Sequence, residues 1–128
     1  MDNDLNISQL GTIKIASEVV ATIAGLAAID VIGVAGMSGG VVDGIAELLR
    51  RKNLSKGVKA SIVDQDAIID MAIIVKYGEN IDKVSKEIQK AVKKAVENMT
   101  GLSCSAVNIN VQDITTPEIQ NVISTKEE

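Results

Sequence analysis

Few residues of this 128-residue chain could do chemistry, and they are scattered. Gly36-Met37-Ser38-Gly39 forms a G-x-x-G pattern ahead of a helix-like stretch. Glycine-rich turns in that position can cradle phosphate on free backbone N–H groups. Here the turn carries no lysine, and the full G-x-x-x-x-G-K-[ST] motif is absent. Asp64, Asp66 and Asp70 lie close together, but the first two flank Gln65 between two strand patterns, where turn formation accounts for them and weak calcium binding is the lesser alternative. Asp70 interrupts an otherwise apolar strand, so it must reach solvent, pair with a lysine or recognise a partner. Cys104 is the one cysteine, and the chain has no histidine to activate it or any serine. A buried role as a small hydrophobe suits it better. With one cysteine and no histidine, a transition-metal site is excluded in practice, and no cofactor motif is present.

Basic residues supply the remaining candidates. Arg50, Arg51 and Lys52 close a helix pattern, where cations suit the negative end of the helix dipole. Lys86, Lys90 and Lys93 belong to a lysine ridge on a long helix. Such a ridge is either a solvated face or a dock for an acidic partner or anionic membrane surface. The candidate interaction residues are therefore Gly36, Met37, Ser38, Gly39, Arg50, Arg51, Lys52, Asp70, Lys86, Lys90 and Lys93. An RNA-clamping KH domain also uses G-x-x-G, but its loop is normally basic, whereas Met37 and Ser38 fill this one and Asp43 follows. The net charge of −4 likewise argues against nucleic acid as a partner, leaving a KH-like anion or RNA binder as a minor alternative.

The elements that must position these residues can be read from periodicity. The length is that of one domain. Aromatics make up only 1% of residues, so Val, Ile, Leu, Ala and Met must fill the core. Residues 1–9 are polar and expected to be flexible, residues 10–114 to form the single domain, and residues 115–128 a tail with a short helix after Pro117. The acidic start is unlike a signal peptide, and the apolar run Val19 to Ile29 is too short to span a bilayer, so a cytoplasmic protein with no transmembrane segment is expected.

Thr12 to Ala16 alternate as a first short strand, and Ser17 is suited to cap a helix running to about Ala28. That helix has little polar surface beyond Glu18 and Thr22. Its small-residue face, Ala21, Gly25 and Ala28, is either covered within the domain or used for self-association. Val31 to Met37 reads as a strand, Ser38 to Gly40 as a turn, and Val41 to Lys52 as a helix. Val58 to Val63 and the more apolar Ala67 to Tyr77 form a hairpin whose second strand is central. Ile81 to Met99 is an amphipathic helix between Asn80 and Gly101, and Cys104 to about Asp113 is the last strand. The expected fold is an α/β (α+β) two-layer sandwich of order β-α-β-α-β-β-α-β, with a mixed sheet and a weak C-terminal helix.

Taken in order, several segments resemble the alkaline shock protein family of Gram-positive envelope stress proteins. They are Gly11-x-Ile-x-Ile-Ala16, Ile23-Ala-Gly25-x-Ala27-Ala28 and Gly33-Val-x-Gly36-Met. Gly57-Val58, Ile69-Asp70, Tyr77-Gly78 and Ile81 to Val84 follow, then Met99-Thr100-Gly101-Leu102 and Val107-Asn108-Ile109-x-Val111-Gln112. The resemblance runs from about Gly11 to Ile114. It implies a small non-enzymatic cytoplasmic protein; some members are held at the membrane by a separate anchoring protein and form assemblies there, and a homo-oligomer is expected here. For other members it implies a link to fatty-acid metabolism through acetyl-CoA carboxylase. It brings no catalytic residues with it. A module of the envelope stress response and a regulator of lipid synthesis both remain open on these residues.

Overall fold

The computed structural model describes residues 10–37, 40–41 and 57–116. Helix α1 (Ser17–Ile29) is followed by β1 (Val34–Met37) and the two-residue β2 (Gly40–Val41). Then come β3 (Val58–Val63), β4 (Asp66–Lys76), helix α2 (Ile81–Thr100) and β5 (Ser103–Thr115).

β4 is the spine of a mixed sheet. On one edge it pairs antiparallel with β3 over Asp66–Met71 and with β1 over Ile73–Val75, so those two strands lie end to end. β2 extends the sheet beyond β1. On the other edge, β5 runs parallel to β4 along its whole length, with register shifts after Ala67 and Ile73. Alternate residues of β4, from Ala67 to Val75, are buried on one face, while over that span its other face is half-buried and apolar apart from Asp70.

Both helices cover one face of this sheet, giving the two layers expected. α1 packs on β3 and against α2, and α2 packs on β5. The core between the layers holds Val20, Ala24 and Ala28 of α1 and Val84, Ile88, Val92 and Val96 of α2. From β4 come Ala67, Ile69, Met71, Ile73 and Val75, and from β5 Cys104 and Val107.

α2 has the signals its sequence promised. Asn80 accepts from the Lys83 N–H at 2.9 Å, and Gly101 takes the left-handed conformation (φ 77°) that ends the helix. A hydrophobic seam at i, i+4, i+8 and i+12 (Val84, Ile88, Val92, Val96) is fully buried while the lysine side stays exposed.

Four local expectations are corrected. Thr12 to Ala16 form no strand: among the described residues they find no pairing partner, and Ile13 is 87% exposed. Ala16, not Ser17, is the N-cap of α1, and no side chain caps it. β1 starts at Val34 because Val31 to Gly33 turn, with Gly33 at φ 103°, a region costly for any residue with a Cβ. Val41 lies in β2 rather than opening a helix. The remainder of that expected helix and the C-terminal helix lie outside the described residues. Ala21, Gly25 and Ala28 are buried, so the small face of α1 is not a free surface for self-association.

Candidate functional site

Gln89, Lys93 and Glu97 are spaced four apart, which stacks them in one row along α2. The short connection Gly101–Leu102 folds the chain back, so β5 runs beside this row. The row bonds the outer backbone edge of β5, the edge that β4 does not use. Gln89 Nε2 donates to the Val107 carbonyl at 2.9 Å. Lys93 Nζ donates to the Cys104 carbonyl at 2.8 Å and to Glu97 Oε2 at 3.0 Å. Glu97 Oε2 in turn accepts the Cys104 N–H at 2.9 Å. Three side chains thus stand in for a neighbouring strand over the first part of β5.

The electrostatics follow from these bonds. The Cys104 N–H, and after it the Lys93 ammonium, hold the Glu97 carboxyl below its ordinary range. Burial pushes the Cys104 thiol up, outweighing the nearby Lys93 charge. A buried thiol kept protonated is a poor nucleophile, which agrees with the packing role expected of it. The sequence placed Lys93 on a lysine ridge, either solvated or a dock, and its periodicity did not show that Lys93 joins Gln89 and Glu97 in bonding β5. The available signal was a row of long polar side chains one short turn away from a strand.

The second face of the sheet carries the other polar group of interest. Side-chain alternation puts Lys59 and Ser61 of β3, Asp70 and Ala72 of β4, and Asn108 and Asn110 of β5 on the side away from the helices. Asn108 Nδ2 donates to Asp70 Oδ1 at 2.9 Å, and Lys59 lies opposite Asp70 in register. Asp70 therefore reaches solvent and is partnered by an amide. Around this pair lies a shallow groove of about 630 Å³.

The other candidates are dispersed. Gly36 and Met37 are buried within β1 and offer no accessible turn. Ser38, Gly39, Arg50, Arg51 and Lys52 lie outside the described residues. Lys86 pairs with Asp82 at 2.9 Å along the exposed side of α2. Lys90 lines a second groove, of about 640 Å³, with Ile32, Glu79, Lys83, Glu87 and Lys94. Glutamates interleave with lysines there, so the ridge is not a uniform cationic patch. The fold does not bring Asp70 and the lysines of α2 to one site: Asp70 is on the open face and α2 covers the other. Among the described residues, no group of His, Cys, Asp or Glu could hold a metal ion, and no helix is long and apolar enough to cross a membrane.

Comparison with known proteins agrees with the segments singled out in the sequence. Residues 6–116 match the alkaline shock protein 23 family, described as having a cell envelope-related function. The uncharacterized protein YloU of Bacillus subtilis is 40% identical over 109 residues, covering 84% of this chain and 91% of that protein. A stress response regulator gls24 homolog of Streptococcus pyogenes is 28% identical over 116 residues, covering 90% of this chain and 65% of that protein. Among solved structures, MamM-CTD is 22% identical, with a TM-score of 0.48 over 77% of this chain and 99% of that one.

Proposed function

The chain belongs to the alkaline shock protein 23 family, of cell envelope-related function, and from that premise we propose that it is a non-enzymatic, self-associating interaction module of the envelope stress response. One observation carries the non-catalytic part: Lys93, Glu97 and Cys104, the residues nearest to a reactive cluster, are committed to joining α2 to the β5 backbone. Among the described residues the thiol meets the Ala106 carbonyl rather than a base, and it is buried. The stress-related name of the gls24 homolog supports the setting. The module works in the cytoplasm and reaches the envelope through a protein partner such as a membrane anchor.

The test is a deletion strain exposed to envelope stress, such as an alkaline shift or a cell-wall inhibitor. Loss of growth under stress, restored by the wild-type gene and by Cys104→Ala alike, is the expected result. Normal growth under every such stress would remove the envelope role, and a requirement for the thiol would remove the non-catalytic one. Immobilised protein offered acetyl-CoA carboxylase subunits separates this role from regulation of lipid synthesis, which predicts their specific retention.

A further inference from the structure

The row on α2 stops partway along β5. Four residues before Gln89 the same row reaches Ser85, whose side chain is too short to continue it, and among the described residues the bonds from this row to β5 end at Val107. Backbone groups of alternate residues point to the same edge of a strand. Pairing of β5 with β4 is regular from Ala106 to Val111. Since the Val107 carbonyl faces outward to Gln89, the N–H and C=O groups of Ile109 and Val111 also face outward. Among the described residues they take no partner on that edge.

Exposed strand edges are templates for pairing, and proteins usually blunt them with charges, proline, bulges or covering elements. Among the described residues, β5 is blunted from Cys104 to Val107 and left open at Ile109 and Val111. The segment Ser105 to Gln112 contains no charged residue, no proline and no glycine. Ile109 and Val111 are half-buried on the helix side, while Asn108, Asn110 and Gln112 are exposed amides.

We infer that this open edge pairs antiparallel with the same segment of a second copy, about a two-fold axis at Asn110. The inference deepens the self-association proposed above and rests on it. In that register Ile109 of one copy opposes Val111 of the other, and the pair exchanges both N–H···O=C bonds. The axis repeats the exchange, so every outward group of Ile109 and Val111 is satisfied. Asn110 faces Asn110, and Asn108 faces the Gln112 region. Amides both donate and accept, so each of these pairs is self-complementary without like charges in contact. The helix-side contact is Ile109 on Val111, which is apolar in both copies. A two-fold contact of this type closes on itself, consuming an edge that could otherwise propagate into fibres.

Two variants test the register, with self-association read by sedimentation equilibrium. Asn110→Lys changes an exposed side chain and no β4 ladder bond, but sets two cations face to face at the axis. Val111→Pro removes the outward N–H in both copies, a proline placement that edge strands accept. Each is expected to weaken self-association by about tenfold or more while the far-UV circular dichroism is retained. In a third variant, Asn110→Cys, the two thiols meet where opposed Cα atoms are about 4.5 Å apart, within disulfide reach. Copper–phenanthroline in air should then cross-link it to dimer, while Ser61→Cys, exposed on the opposite side of β4, stays monomeric on a denaturing gel. If the wild type self-associates and neither Asn110→Lys nor Asn110→Cys behaves as stated, the edge pairing is overturned and self-association stands through another surface. A wild type that stays monomeric at high micromolar concentration would remove both.

Discussion

The Lys93 ammonium and the Cys104 carbonyl lie 2.8 Å apart, joining the middle of α2 to the start of β5. Glu97 completes the link by accepting from both Lys93 and the Cys104 N–H. The contact explains how the parallel strand β5 is held when, among the described residues, β4 is the one strand beside it. It caps the first part of β5, and among the described residues no such cap reaches Ile109 and Val111.

Acid should loosen this link before it unfolds the core. Glu97 has a pKa lowered from its ordinary 4.5, first by the Cys104 N–H and then by Lys93. A carboxylate with a depressed folded-state pKa contributes stability that is complete above its unfolded value. That contribution is lost as the pH falls through the lower folded-state value. Glu97→Gln cannot titrate, so its stability at neutral pH should fall and its acid limb should be flatter than that of the wild type. Urea melts from pH 7 down to pH 3 check both features; parallel curves for the two proteins would contradict the assignment.

Removing the cap should expose more edge. Gln89→Ala frees the Val107 carbonyl and leaves an exposed helix position with a good helix former. We expect little loss of helicity but a higher tendency to associate, read as larger particles by dynamic light scattering at matched concentration. Unchanged particle size would show that Gln89 does not guard the edge.

Gly33 should resist substitution strongly. Its φ of 103° disfavours any L-residue, and an added Cβ would lie 2.7 Å from Val84 Cγ2. Its carbonyl also accepts from the Lys76 N–H at 2.8 Å, tying the turn to the end of β4. Gly33→Ala is expected to cost about 1–3 kcal/mol from the backbone alone. Combining it with Val84→Ala removes the clash but not the strain, so the double variant should be less destabilised than the sum of the singles. Additive losses in chemical denaturation would show that the clash is relieved without cost.

Cys104 should be silent toward thiol reagents in the native state. It is 2% exposed, and burial raises its pKa. Labelling by a disulfide-exchange reagent at neutral pH should proceed only as fast as the protein opens, and at full rate in denaturant. Rapid native labelling would place the thiol at the surface.

The parts of the fold legible in the sequence were those whose local signals agree with their surroundings. Asn80, the seam from Val84 to Val96 and Gly101 all specify α2. The apolar run of β4 announced a central strand. Thr12 to Ala16 has the alternation of a strand, but pairing is a long-range property, and among the described residues no strand pairs with it. Asp70 was read as needing solvent or a partner, and the structure gives it both, the partner being Asn108 and not a lysine. Lys93 does lie on the exposed ridge its periodicity indicated, but its bond to β5 was not legible there. Only the parallel return of β5 beneath it supplies a backbone carbonyl to bond.

The most direct test of the central claim is the solution mass as a function of concentration. The chain alone weighs 13.5 kDa. Multi-angle light scattering over a dilution series should show a weight-average mass that climbs from near that value toward at least twice it. A mass that stays at the monomer value up to high micromolar protein would contradict the account.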